Sequence, residues 1–369
     1  SLGTAGAHYQ REGLSLSGYH SRGVLRSGFS FVNAARGFER QTLLQRVTSE
    51  DSGGSAVWTR PLPKVNLLLG TDAHRTGGIS RDTVVSTGFV RRPGGRLWQQ
   101  GLFVQTDFAA GPRTRIYGGL RHDFSDRGND FWSPRAGLAF SEGPRRWRAS
   151  VYRSFRAPTL NEFFRQFRVG NITTLSNPEL RPETMCGAQA GLDWRKGEAI
   201  FRTTLFWQEV SDLIGNATIS LGPSPLRQRR NLGKATGRGV ELEVLKIFGR
   251  FRVEAAYLYA DSQLDIGVWM PQVPRHQGSF QLLYAVGGTL VRGGIRSSAA
   301  QFEDDLNQFL LPGFLTLQVM LQRRLGHGVS ALVAVENLLD RRFLVGFVPT
   351  PTTGTPRLMR VGLKWETGR

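Results

Sequence analysis

Long stretches of the chain alternate apolar and polar positions. From Arg146 to Tyr152, Trp147, Ala149 and Val151 fall on one side, and Arg148, Ser150 and Tyr152 on the other. A period of two is that of a β-strand with one apolar and one polar face. The same alternation runs from Thr114 to Arg121, where Ile116, Gly118 and Leu120 oppose Arg115, Tyr117 and Arg121. It recurs at Phe251, Val253, Ala255, Tyr257 and Tyr259. From Leu97 onward the turn signals follow a rhythm. Short connections (110–112, 141–144, 196–197, 248–250, 287–288, 325–328) alternate with long ones (123–132, 157–183, 215–230, 261–275, 297–311, 338–356). Transmembrane β-barrels have short turns on one side of the membrane and long loops on the other. A soluble sandwich gives no reason for that alternation.

Before Leu97 the pattern is less regular. It predicts a strand from Leu14, a turn at Ser21–Arg22, a strand from Gly23 to Val32 and another from Phe38 to Val47. A polar loop is expected at 50–55, a strand from Val65 to Gly70, a loop at 71–81, and strands from Thr83 to Val90 and Trp98 to Phe108. The fold class that follows is all-β, an antiparallel transmembrane β-barrel of about 18 strands, against the roughly 22 of plugged outer-membrane transporters. Trp58, Trp98, Trp132, Trp147, Tyr259 and Trp365 are candidates for aromatic belts at the membrane surfaces.

The longest connection carries the most distinctive residues. Pro158 stops the strand that ends at Arg156, because proline cannot donate to a ladder. Phe155-Arg-Ala-Pro-Thr-Leu-Asn-Glu162 and Asn177-Pro-Glu-Leu-Arg-Pro-Glu183 resemble the paired barrel signatures of TonB-dependent outer-membrane receptors. Asn231-Leu-Gly-Lys-Ala-Thr-Gly-Arg-Gly-Val-Glu-Leu-Glu243, Val273-Pro-Arg-His-Gln-Gly-Ser-Phe280, Leu311-Pro-Gly-Phe314, Glu336-Asn-Leu-Leu-Asp-Arg-Arg-Phe343 and Gly354-Thr-Pro-Arg-Leu-Met-Arg-Val-Gly-Leu363 are similar to later strands of that family, in the family's order. The resemblance covers about 131–365; residues 1–130 fit the architecture without a signature of their own. The whole of 1–369 is expected to be one partial barrel, cut at its amino end and lacking the plug.

Charge and composition refine this picture. The chain has 369 residues and a formal net charge of +19. Five of its 48 basic residues are lysine, leaving 43 arginines. They are spread singly along strands and loops rather than in one block, so a cationic lumen and mouth attracting anions fits better than a nucleic-acid patch. No apolar run is long enough for a membrane-spanning helix. Cys186 is the only cysteine, so no internal disulfide forms. It alternates with Thr184, Ala188, Ala190 and Leu192 as a small apolar filler. Ser1-Leu-Gly-Thr-Ala-Gly6 is no export signal, and the chain is expected to be a fragment.

No catalytic motif is present, neither a nucleophile elbow, a phosphate loop nor a zinc-binding helix, and no enzyme activity is expected. His122 with Asp123, Asp126 and Asp130 comes nearest to a metal site but lacks calcium-loop spacing, and the run Glu303-Asp-Asp305, which could chelate calcium, reads as a solvated loop, so no metal and no cofactor is expected. Arg165, Phe167 and Arg168 mix guanidinium groups with an aromatic ring in the longest loop. They are the candidate ligand-binding residues, suited to an anionic, partly aromatic solute.

The resemblance implies an outer-membrane receptor that binds a scarce solute such as a ferric siderophore or cobalamin. Import would be energised by TonB acting through a plug domain that is not in this chain. Its other partner is outer-membrane lipid, and no nucleic acid is expected. Two alternatives stay open: a passive outer-membrane pore or structural barrel, and a soluble basic β protein binding nucleic acid or polysaccharide.

Overall fold

The computed structural model describes residues 1–33, 37–128, 130–169, 172–222, 225–347 and 351–366. Seventeen strands of eight or more residues account for most of it. They are β1 (Leu2–Arg11), β2 (Leu14–Val32), β3 (Glu39–Pro61), β4 (Val65–Val84), β5 (Gly94–Ala109), β6 (Thr114–Ser125), β7 (Asp130–Glu142), β8 (Arg145–Arg156) and β9 (Glu183–Lys196). There follow β10 (Ala199–Ser211), β11 (Lys234–Phe248), β12 (Phe251–Leu264), β13 (His276–Val286), β14 (Thr289–Ser298), β15 (Phe314–Gly326), β16 (Val329–Glu336) and β17 (Leu358–Trp365). The predicted rhythm extends over the whole chain. Connections of two to four residues (12–13, 62–64, 110–113, 143–144, 197–198, 249–250, 287–288, 327–328) alternate with connections of four to 26 residues. Several short turns need positive φ. Gly287 and Gly288 have φ of 52° and 77°, the mirror-image turn that matches strand twist and that glycine adopts without strain.

The chain divides into two compact units. The first comprises 1–138, 150–187 and 210–234. In it β1 to β6 form an antiparallel meander, with Leu14 level with Trp58, Trp58 with Leu69 and Leu69 with Val104. The second comprises 139–149, 188–209 and 235–369. In it β11 to β17 pair in chain order, from Val240↔Tyr259 to Val333↔Val361.

In both units the apolar face of the strands is the open one. Leu102, Ile116 and Val151 are exposed in the first unit, the last by 56%. Leu242, Phe280, Val319 and Leu363 are exposed in the second. Trp132, Trp147 and Trp365 of the expected aromatic belts are exposed as well. Cys186 is exposed. Monomeric soluble proteins do not leave contiguous apolar faces of this extent in water. The other face is polar and self-paired. Arg121 grips Asp72 with Nη1 at 2.6 Å and Nη2 at 2.9 Å and donates to Asp123. In the second unit Arg148 reaches Asp193 and Thr204, and Arg202 reaches Glu243.

Five expectations are corrected, the first being the strand Thr83–Val90, which does not form because β4 ends at Val84 and 85–89 make a turn. The turn at Ser21–Arg22 does not exist, since β2 is continuous. The expected loop at 50–55 lies inside β3, and the one at 71–81 lies inside β4, which ends at Val84. The connection after Arg121 is also shorter than expected, because β6 runs to Ser125 and β7 begins at Asp130. The segments at 21–22, 50–55 and 71–81 are rich in polar and small residues. Cross-strand hydrogen bonds hold them in the ladder, while alternation, the signal used to find strands, is lost.

Candidate functional site

The site is built in the first unit from the two longest connections there, 157–182 and 212–233. After β8, Thr159 caps a short helix, α1 (Leu160–Phe164), in a capping box. Its hydroxyl accepts the Glu162 N–H at 3.3 Å, and its own N–H donates to the Glu162 carboxylate at 2.7 Å. Phe163 of α1 is buried. Phe167–Val169 then pairs antiparallel with Ile172–Leu175. That strand pairs parallel with Leu226–Asn231 from the second connection, which in turn pairs with Ile214–Ser220. The two loops thus share a small four-stranded sheet.

Arg156 anchors it. The guanidinium holds Glu183 through Nε at 2.6 Å and Nη2 at 3.2 Å. It also holds Glu162 through Nη1 at 3.0 Å. Glu183 accepts the N–H of Ile214 at 2.9 Å as well. One guanidinium therefore ties the end of β8, helix α1, the start of β9 and the second loop together. Burial raises the Glu162 pKa, but the Thr159 N–H and Arg156 outweigh it, and the carboxyl sits below its ordinary value. Two asparagines complete the frame. Asn177 donates to the Arg229 carbonyl, and Asn231 exchanges hydrogen bonds with the Arg181 backbone. The two signature segments of the loop are thus the ones that fasten it.

Above this frame the candidate ligand residues separate. Arg165 and Phe167 come together, with the Arg165 guanidinium 5.9 Å from the ring centre. Arg168 stands opposite Thr173 in the ladder and is exposed. Arg229, from the second loop, lies 5.2 Å from the Phe167 ring and donates to the Asn161 carbonyl at 2.7 Å. Two guanidinium groups therefore approach the Phe167 ring. Burial lowers the Arg229 pKa; Glu162 opposes that, and Arg165 adds to it. Arg229 is not singled out by the sequence, and only the loop-to-loop pairing brings it to Phe167.

Arg165 also reaches the barrel wall. Its Nη2 donates to Gln45 Oε1 at 2.9 Å, and Gln45 donates to Asp82 Oδ1 at 2.9 Å. Asp82 is fully buried, accepts a hydrogen bond from Ser80, and faces Arg91 at 3.8 Å. The Nε atoms of Arg165 and Arg227 are buried without a hydrogen-bond partner among the described residues. A cavity of about 810 Å³ lies against α1, lined by Leu160, Phe164 and Arg165 from the loop and by Val47, Ser80 and Gln99 from the strands.

Side chains of the two acidic groups have other partners. Asp123 serves Arg121, Asp126 accepts the Trp98 N–H, and His122 bonds Asp130 while stacking on Trp132. Asp304 is buried and accepts three backbone N–H groups. No group of three His, Cys, Asp or Glu side chains that could hold a metal occurs among the described residues.

The family model described as "TonB dependent receptor-like, beta-barrel" matches residues 2–338. The match includes the amino-terminal strands in which no signature was legible. A search of curated proteins gives no match. Among solved structures, the copper transporter OprC superposes with a TM-score of 0.79 at 17% identity, covering 95% of this chain and 62% of its own. The ferric yersiniabactin uptake receptor FyuA from Yersinia pestis gives 0.74 at 15% identity, covering 98% and 60%. A variant of the ferric enterobactin receptor from Pseudomonas aeruginosa gives 0.73 at 15% identity, covering 99% and 61%. The chain spans about three fifths of the length of these structures.

Proposed function

Because the chain belongs to the TonB-dependent receptor family, as part of its outer-membrane β-barrel, we propose that it forms the wall and mouth of a receptor importing a scarce anionic solute. The solute class is that of a ferric siderophore or cobalamin, and TonB energises import through a plug domain outside this chain. The barrel binds, gates and conducts; it performs no bond-making chemistry. Its partners are the solute and the surrounding lipid.

The observation that carries this reading is the cluster of Arg165, Phe167 and Arg229 on the sheet shared by the two longest loops of the first unit. Guanidinium groups gathered at an aromatic ring suit a ligand with both negative charge and π-faces, held by charge-assisted hydrogen bonds and stacking. Arg168 and Arg227 add positive charge to the same sheet.

The test is uptake by cells that carry the full-length gene and lack their own receptors. Solutes from a panel of ferric siderophores and cobalamins are supplied at limiting concentration. One of them is expected to accumulate in a host with TonB and not in a host without it. Removing Arg229 and Phe167 together lowers the affinity for that solute at least tenfold. Equal accumulation in both hosts would establish the passive pore instead.

A further inference from the structure

The registers of the first unit line up arginines across neighbouring strands. Arg26 is level with Arg46, and Arg46 is level with Arg81. Beyond β4 the ladder runs from Ile79↔Gly94 to Asp82↔Arg91, so Arg92 comes level with Arg81. Arg26, Arg46, Arg81 and Arg92 are exposed, and none has an acidic partner among the described residues. Like charges placed directly opposite in a sheet repel. Four in a row without a counter-ion is an arrangement that the fold alone does not explain.

The same registers put this row on the apolar face. Leu14, Trp58 and Leu69 are successive partners, and Arg26, Arg46 and Arg81 each lie 12 residues further along the same three strands. An even offset keeps the face unchanged. At about 3.3 Å per residue and a tilt of about 40°, the row stands roughly 30 Å above Leu14, past an apolar band about 25 Å tall. It lies toward the end that carries the long connections. Arg22, Arg75 and Arg96 fall between, on the same face, and Glu50, 3.7 Å from Arg22, is the one acid among these positions. Of the other acids of β2 to β4, Asp51, Asp72 and Asp82 have the opposite parity, and Glu39 lies seven residues past Arg46, beyond the irregular pairing at Phe29/Ser30. So the face that meets lipid turns cationic at the height of the lipid headgroups.

We propose that Arg26, Arg46, Arg81 and Arg92 form a binding site for a phosphorylated glycolipid of the outer leaflet. Adjacent strands are about 4.8 Å apart, so one phosphate spans two guanidinium groups and accepts hydrogen bonds from both. The lipid phosphates supply the counter-charge that the chain omits. This surface is separate from the loop site, and solute uptake is an independent readout of that site.

The test uses the full-length protein purified in detergent and native mass spectrometry. The probes are a bisphosphorylated glycolipid, the same lipid dephosphorylated, phosphatidylglycerol and inorganic phosphate. The bisphosphorylated lipid is expected to bind at least tenfold more tightly than any other probe. The variant R26Q/R46Q/R81Q/R92Q is expected to lose at least tenfold of that affinity. Thermal unfolding provides the second measurement. In lipid-free detergent the variant is at least as stable as the parent, because the repulsion is gone, and only the parent gains stability when the lipid is added. Equal binding by parent and variant, equal binding of the dephosphorylated lipid, phosphatidylglycerol or phosphate, or a variant less stable than the parent without lipid would each overturn the proposal.

Discussion

Arg156 concentrates more of the loop architecture than any other side chain described here. It holds Glu162 and Glu183, which lie in different segments. Arg156→Ala leaves two half-buried carboxylates without their cation. Because the guanidinium is itself 41% exposed, screening moderates the cost, and about 2 kcal/mol is expected. The measurement is limited proteolysis, with faster cleavage within 157–182 and unchanged cleavage elsewhere. Glu162 adds a pH dependence. Its carboxyl titrates below the ordinary value in the folded loop. The stability it contributes is therefore complete above the unfolded value of about 4.3 and is lost as pH falls through the lower folded value. Proteolysis of the loop should accelerate below about pH 4, and Glu162→Gln should abolish that dependence. A pH response unchanged in the variant would remove Glu162 from the explanation. These anchoring contacts were legible only as signatures. The sequence placed Arg156, Glu162 and Glu183 in the right segments, but the pairing that makes them one cluster depends on loop geometry.

The strand is the scale at which the sequence was most readable. Alternation located β8 and β12 and assigned their apolar faces correctly, because one side of each meets an apolar surrounding and the other a polar one. It failed at 21–22, 50–55 and 71–81, where β2, β3 and β4 are rich in polar and small residues. Twenty-three residues of β3 exceed by far the 9–11 needed to cross a bilayer. The remainder projects past the bilayer toward the long connections. Helix α1 shows how such an extension supports the site. A Cβ on Gly95 of β5 would lie 2.3 Å from the Phe164 ring, so the helix docks where the strand has no side chain. Gly95→Val should displace Phe164 and loosen α1 without unfolding the strands. Faster hydrogen exchange confined to 159–165 would show it, and exchange spread through β4 and β5 would count against it.

Across the whole molecule, the apolar strand face, the paired polar face and the alternation of connection lengths agree with the family assignment. The candidate ligand residues were only partly readable. Arg165 and Phe167 meet, and Arg229 joins them from a loop more than 50 residues away through a parallel pairing that no local pattern announces. The orientation makes a prediction of its own. In a Cys186→Ser background, Ser220→Cys should react with an impermeant maleimide on intact cells, while Gly111→Cys, in a short turn, should react only after the outer membrane is opened. The most direct test of the central claim compares neighbouring positions on one strand. Spin labels placed singly at Val151 and at Tyr152, in the receptor reconstituted in lipid, are examined by power saturation with oxygen and with a water-soluble nickel chelate. The account predicts that the label at 151 is relaxed chiefly by oxygen, as in lipid, and the label at 152 is not. Chelate access at 151 equal to that of a label in a soluble loop would contradict it.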